Sequence, residues 1–383
     1  MARTKKTTKK AKRATKPATP KRKAATSPAK RASQLEVMAR AREHFGGTKQ
    51  FGEQVMLMDE LDNTVPGFVS TQSLALDWIC GNGGVPQSRI VDATGDEGVG
   101  KSTFGDHLMA EVQRCGGHAW LWDTENARDI HYQKRLGIAR RSAGQITSQT
   151  MEDGFELMIQ LIAWHNEHDP GRPGIIVWDT PAGTPTRAEA DPTKSDEMMG
   201  PAKLIRSYLR KLNQALMRSR WILCVINQTY LGRSQSGQAF KAAYGGGGIP
   251  YYSSVRLNFS HPSKQWASAS AKEMKLPPVG QLVWVGCVKN RVSMPHRSRQ
   301  IYIEFGQGIS NSFEVFSELH GAGCIALSGT WYKFDGDGWP ELAERWPKAW
   351  QGGWHALAAL CGEDPELWKA LLVAYHGLVK PNG

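Results

Sequence analysis

The sequence predicts an α/β fold, a mostly parallel twisted sheet with helices on its faces. Three observations carry this. Strand-like and helix-like segments alternate from about Val65 to Phe305. The run GIIVWD at 174–179 is continuously apolar, as in a parallel strand covered on both faces. A glycine-rich turn, GDEGVGKST at 95–103, joins a strand to a helix.

The elements follow in order. Residues 1–31 hold 13 Lys/Arg and no Asp or Glu, so the rest of the 383-residue chain carries 35 basic against 36 acidic residues. Nearly the whole net charge of +12 sits in that segment. With no aromatic residue and little to bury, 1–32 reads as a disordered basic tail. Such a tail attracts polyanions, nucleic acid first among them; a solubilising tail or a targeting address is the other reading. Ser33 and Glu36 form a capping-box pattern for a helix through Phe45, stopped at Gly46-Gly47, with 33–62 as helix and linker. An isolated helix of this length is marginal in water and must dock, on its own body or on a neighbouring copy.

Within 63–310 the spacing predicts strands at Arg89–Ala93, His118–Asp123, Gly174–Asp179, Trp221–Asn227, Ser254–Asn258, Leu282–Val292 and Gln300–Phe305. Helices are expected at Lys101–Arg114 and Gly154–Trp164. Leu204, Ile205, Leu209, Leu212 and Leu216 mark another at 3.6-residue spacing. Two long polar, glycine-rich stretches, 183–200 and 229–248, each follow a core strand and read as functional loops. From Asn311 to Gly383 the composition turns to Trp, Leu and Glu, predicting a small C-terminal α/β domain whose tryptophans mainly pack its core.

Composition excludes other classes. Apolar residues make up 40% of the chain, enough for a core without metals or disulfides. No run of eighteen apolar residues and no signal-like apolar stretch occurs, so a cytoplasmic protein with no membrane partner is expected. The six cysteines form no Cys-x-x-Cys pair, against a zinc module.

The chemistry centres on GDEGVGKST, which satisfies G-x-x-x-x-G-K-[ST]. Gly95, Asp96, Glu97, Gly98, Val99 and Gly100 form a loop whose amides face phosphate oxygens at the positive end of the next helix. Lys101 reaches the β and γ phosphates, Ser102 supplies a hydroxyl for Mg²⁺, and Thr103 follows on the helix. Asp179, ending GIIVWD, is the natural second partner of Mg²⁺. Glu125 lies just past the strand AWLWD, at the carboxyl end of the sheet, where a carboxylate can take the proton of an attacking water. Gln228 ends WILCVINQ and heads the second long loop, placed to report a γ-phosphate to it. Lys289 and Arg291 alternate along VGCVKNRV as a solvated edge or as cations for a neighbour's site.

Together these motifs resemble the bacterial and phage RecA recombinases over roughly 33–380. The segments that carry the resemblance are STQSLALDWICGNGGVPQSRIV (70–91), GDEGVGKST, LWDTENARDIHYQKRLGI (121–138), IIVWDTPAGTP (175–185), VINQ (225–228), YYSSVRL (251–257), VKNRV (288–292) and IYIEFGQGIS (301–310). The resemblance implies a RecA-type P-loop NTPase core, a DNA-dependent ATPase using ATP and Mg²⁺. It also implies a helical homo-oligomeric filament on single-stranded DNA that pairs with homologous duplex DNA and exchanges strands. By position, Glu125 matches the family's catalytic glutamate, Asp179 its magnesium-side aspartate and Gln228 the glutamine that couples ATP to DNA. Asp129 and Tyr132 match the residues that hold adenine, and Lys289 and Arg291 the paired cations acting across the subunit interface. Residues 183–200 and 229–248 match the two DNA-binding loops, with Arg187, Lys194, Met198, Met199, Arg233, Phe240, Lys241, Gly247 and Gly248 toward DNA. The 33–45 helix matches the one that packs on the adjacent protomer.

The chain departs from the family in ending HGLVKPNG instead of an acidic tail, in its basic N-terminal tail, and in a Pro- and Thr-rich first loop. On sequence alone two other readings stay open: an ATP-dependent motor on the same core, and a DNA-coating filament protein without strand exchange.

Overall fold

A computed structural model describes residues 34–46, 65–191, 193, 200–233, 239–265 and 272–379, without the side chains at 34, 35, 37, 45, 46, 231–233 and 239–242. The 1–32 tail, Ser33 of the expected capping box, and Lys194, Met198 and Met199 lie outside the described residues. Residues up to 64 and from 65 onward form separate units. In the first, helix α1 spans Gln34–Gly46 with Met38 exposed.

The second unit runs, in chain order, β1 (Phe68–Val69), α2 (Leu74–Cys80), β2 (Val85–Pro86), β3 (Ile90–Gly95), α3 (Lys101–Arg114), β4 (His118–Asp123), α4 (Ile130–Arg135), β5 (Ala143–Gln145), α5 (Met151–His168) and β6 (Gly174–Asp179). It continues with α6 (Arg187–Ala190), α7 (Pro201–Met217), β7 (Trp221–Arg233), β8 (Ala239–Ala243), α8 (Gly248–Tyr252), β9 (Val255–Gln265), β10 (Gly280–Asn290), β11 (Ser298–Glu304) and β12 (Gly308–Ile309). Last come α9 (Asn311–Gly321), β13 (Ile325–Ser328), β14 (Trp331–Phe334), α10 (Pro340–Arg345), α11 (Gly353–Glu363) and α12 (Pro365–Leu378).

Among the described residues the main sheet has ten strands in the order β12-β11-β10-β9-β3-β7-β6-β4-β5, with β8 on β7. The strands from β9 to β5 along that path pair in parallel; β9 to β12 pair antiparallel. Side chains alternate across each strand, so the continuously apolar β6 feeds two cores. Ile175 and Val177 pack with Phe104 and Leu108 of α3 and with Leu76 of α2. Ile176 and Trp178 pack with Phe155 and Met158 of α5 and with Leu209 and Leu212 of α7. The rings of Trp122 and Trp178 stack at 5.3 Å on this second face.

One expectation needs correction. The strand expected to end at Gln228 runs on to Arg233, because β8 pairs antiparallel with it, Thr229 opposite Ala243 and Arg233 opposite Ala239. Cross-strand hydrogen bonds thus satisfy backbone groups that a polar, glycine-rich loop would leave to water. Much of the second stretch is therefore a hairpin, with 234–238 outside the described residues. The C-terminal tryptophans mainly pack, as expected, with Trp331 the exception. Trp350 is buried and Trp339, Trp346 and Trp368 pack on the local cluster, whereas Trp331 is 51% exposed.

That C-terminal cluster has its own apolar centre of Val315, Leu319, Leu357, Leu367 and Leu371, against which Leu74 and Trp78 of α2 pack. Glu314 stitches the two together. It accepts hydrogen bonds from Ser73 Oγ (2.6 Å) and from the backbone N–H of Ala75 (2.8 Å), while Ser73 itself caps α2. Burial pushes the Glu314 carboxyl up to about 7 against those hydrogen bonds, which favour its charged form. The folded state therefore holds this proton more tightly than the unfolded chain. The resulting stability is fully present below the ordinary value of 4.5 and is lost as pH rises through 7. Glu314→Gln removes the titration. Urea unfolding of both proteins should show the wild type losing stability relative to the variant over that interval, by at most about 3 kcal/mol. A difference that does not change with pH would contradict this.

Candidate nucleotide site

The site forms where parallel strands end together. Register sets Asp123 opposite Asp179, Asp179 opposite Ile226, and Gly95 opposite Gln228, so the ends of β3, β4 and β6 meet the middle of β7 at one edge. After β3 the chain turns through Gly98 (φ +72°) and Gly100 (φ +88°), left-handed conformations that glycine adopts without a Cβ clash. A Cβ on Gly100 would also stand 2.1 Å from Ile303 Cδ1. Gly100 caps α3, and its carbonyl accepts the Phe104 N–H; the free N–H groups of that first turn face the loop.

Lys101 is buried, and its Nζ donates to the Asp96 carbonyl at 2.5 Å. Burial lowers its ammonium below the ordinary range, against the pull of Asp179, Asp96, Glu125 and Glu97. Ser102 Oγ donates to Asp179 Oδ2 at 2.8 Å. Beside them a cavity of about 570 Å³ runs along α3 to Asp129, Tyr132, Phe305 and Gly306. Tyr132 and Thr103 share a hydrogen bond of 3.1 Å through their hydroxyls, and Asp129 caps α4 by accepting from the His131 N–H. Gln281 Nε2 donates to the Gly98 carbonyl (2.8 Å), tying the loop to β10. Arg135 Nε donates to the Gly306 carbonyl at 2.6 Å, on the far wall.

At the open edge, Gln228 Nε2 donates to Glu125 Oε1 at 2.9 Å. Burial raises the Glu125 carboxyl above its usual range; the negative charges of Asp179, Asp123 and Glu97 add to this and Lys101 opposes it. Next along, Thr229 Oγ1 donates to Asp96 Oδ1 at 2.7 Å, a second link from the hairpin to the loop.

Lys101 and Ser102 thus line the cavity together with Asp129 and Tyr132, while Asp179 joins it through Ser102, and the Glu125–Gln228 pair stands at the open edge outside its lining. Lys289 and Arg291 do not line it. Lys289 Nζ donates to the carbonyls of Pro250 (2.6 Å) and Tyr251 (3.0 Å), and Arg291 Nη2 to that of Tyr251 (3.1 Å), at the end of α8. Arg291 follows the last residue of β10 instead of lying within the strand. Arg187 pairs with Asp153 and lies 3.7 Å from Glu156. Gly247 caps α8, and Gly248 is buried against Arg206. The backbones of Arg233, Phe240 and Lys241 belong to the β7–β8 hairpin.

Sequence reasoning missed Arg128, whose buried guanidinium meets Asp106, Asp179 and the Ser102 carbonyl, as well as Gln281, Thr229 and Arg135. Lone Arg, Gln and Thr residues carry no periodic signal; their partners are 22 to 183 residues away in the chain.

The donor set fits a nucleoside triphosphate with Mg²⁺. Glycine amides and a buried lysine suit phosphate, a hydroxyl beside a carboxylate suits a hard divalent cation, and the cavity volume falls in the usual range for small-molecule sites. Among the described residues no helix is long and apolar enough to cross a membrane.

Comparison with known proteins places the chain in a family. The RecA N-terminal domain family matches residues 42–310. The chain is 33% identical over 294 residues to Protein RecA of Lactobacillus acidophilus, covering 76% of this chain and 77% of that protein. It is 33% identical to Protein RecA of Bacillus anthracis, over 75% and 80% of the two chains. Protein RecA of Geobacter sulfurreducens is 31% identical over 295 residues, covering 76% and 82%. The chain belongs to the RecA family, the ATP-dependent recombinases of DNA recombination and repair, which hydrolyse ATP in response to DNA.

Proposed function

We propose that this protein assembles with copies of itself on single-stranded DNA, pairs that strand with homologous duplex, and uses the site described above to couple ATP to DNA. The observation that carries the coupling is the Gln228–Glu125 hydrogen bond. It joins a carboxylate at the phosphate edge to the residue that leads into the β7–β8 hairpin.

In this reading Lys101 and the amides of 95–103 hold the phosphates, and Ser102 with Asp179 holds Mg²⁺. When bound, the metal neutralises charge that develops on the phosphate oxygens. Glu125, less acidic than an exposed carboxylate, accepts a proton from water as the water oxygen attacks the terminal phosphorus. The bond from that phosphorus to the bridging oxygen breaks, and ADP leaves with the electron pair. Gln228 exchanges its bond to Glu125 for one to the terminal phosphate, and the hairpin follows. Asp129 and Tyr132 hold the base. Lys289 and Arg291, gathered at one surface point by the carbonyls of α8, act in the site of an adjacent copy. Helix α1 docks on that copy.

Arg233, Phe240 and Lys241 on the hairpin supply phosphate contacts and a stacking ring for DNA, with Gly247 and Gly248 at its base; Lys194, Met198 and Met199 serve the first loop. Arg187 reaches DNA by leaving its pairing with Asp153. The basic 1–31 segment gathers duplex DNA by counterion release.

Gln228→Ala should still bind ATP yet lose stimulation of hydrolysis by single-stranded DNA, read as phosphate release at saturating ATP with and without oligonucleotide. Full stimulation in the variant would remove Gln228 from the coupling. Deleting residues 2–31 should make the dependence of duplex affinity on salt shallower while single-strand binding persists. An unchanged slope would separate the tail from duplex capture.

A further inference from the structure

We infer that Arg128 is a positioning residue that holds the Ser102–Asp179 pair in its metal-receiving arrangement, with Asp106 as its buried counter-charge. The inference deepens the nucleotide reading above and rests on it.

Arg128 stands between α3 and the end of β6. Its Nη2 donates to Asp179 Oδ2 (2.6 Å) and its Nη1 to the Ser102 carbonyl (2.7 Å), while Nη1 also lies 2.6 Å from Asp106 Oδ1. The side chains of Arg128, Asp179 and Asp106 are only 8%, 10% and 3% exposed. Desolvation makes a buried ionic cluster costly unless its hydrogen bonds are well made. Here they are made on both sides. Burial opposes the arginine's charge, but Asp106 and then Asp179 more than restore it. Asp106 also accepts from Gln133 Nε2 at 3.2 Å, and Gln133 in turn accepts from Arg140, so the network runs from the site outward to α4 and beyond.

What this arrangement does is local. Asp179 Oδ2 receives both the Ser102 hydroxyl and the Arg128 guanidinium, which fixes the carboxylate plane. Because the Ser102 proton is committed to Asp179, the lone pairs of its oxygen are left for a cation. The planar fork matters: one ammonium on a flexible stem cannot hold a carbonyl and two carboxylates in fixed directions. Groups that orient metal ligands in this way typically contribute 10- to 100-fold in metal affinity.

Loss of Arg128 alone would strand Asp106, so the test removes both charges. In Arg128→Met/Asp106→Leu, binding of a fluorescent ATP analogue is titrated with Mg²⁺ and repeated in EDTA, alongside the wild type. The Mg²⁺ concentration at half-saturation should rise about tenfold or more, with affinity in EDTA unchanged. An unchanged midpoint, or equal weakening with and without Mg²⁺, would show a purely structural ion cluster and overturn the inference. Arg128→Lys keeps the charge and loses the fork; it should show the same direction of shift, and a wild-type midpoint in it would also overturn the inference. If the wild type itself binds no analogue under either condition, the nucleotide reading fails first, and the inference with it.

Discussion

The site depends on strand register. Parallel pairing sets β3, β4, β6 and β7 so that Gly95, Asp123, Asp179 and Gln228 come to one edge of the sheet. A shift of one residue in β6 would turn Asp179 to the opposite face and force Trp178 into the core beneath α3, which is packed around smaller side chains. The apolar residues on both faces hold that register: Ile175 and Val177 are locked beneath α3, Ile176 and Trp178 beneath α5 and α7. The core and the chemistry are therefore parts of one constraint. The side chains that exclude water also decide which residues stand at the end of each strand.

Electrostatics follows from that placement. Lys101 is set among Asp96, Glu97, Glu125 and Asp179, and burial and these acids pull its proton affinity in opposite directions. Arg128 lies on the inner side of the same aspartate, neutralised from beneath by Asp106. Two cations that both line the cavity thus stand near Asp179: Lys101, and Arg128, whose guanidinium donates to Asp179 and to the Ser102 carbonyl. At the opposite side, Glu125 and Asp96 take hydrogen bonds from Gln228 and Thr229, which places the nucleotide edge and the hairpin in direct contact.

Much of this was legible in the chain. The strand–glycine–helix run at 90–114, the apolar strand ending in Asp179 and the leucine period of α7 are local patterns, and local patterns survive in sequence. Glu125 and Gln228 were found because strand ends at the carboxyl edge of a parallel sheet are where ligands bind. Arg128 was not, since NARD reads as a solvated turn until Asp106 and Asp179 are brought to it from two other elements. The hairpin was hidden for a related reason. Glycine and serine at 232–237 signal a loop, but the pairing of Thr229–Arg233 with Ala239–Ala243 is visible only once the strands are laid side by side. Trp331 shows the same limit on the apolar side, because an aromatic residue in a tryptophan-rich unit carries no mark of which face it will occupy.

The central claim is that a triphosphate gripped at this edge governs how the protein holds an unpaired strand. Fluorescence anisotropy of a labelled single-stranded oligonucleotide, titrated with the full-length protein and Mg²⁺ in the presence and absence of a slowly hydrolysed ATP analogue, tests it directly. The account expects affinity to tighten at least about tenfold with the analogue, a coupling of roughly 1.4 kcal/mol. Equal affinity under the two conditions would contradict it.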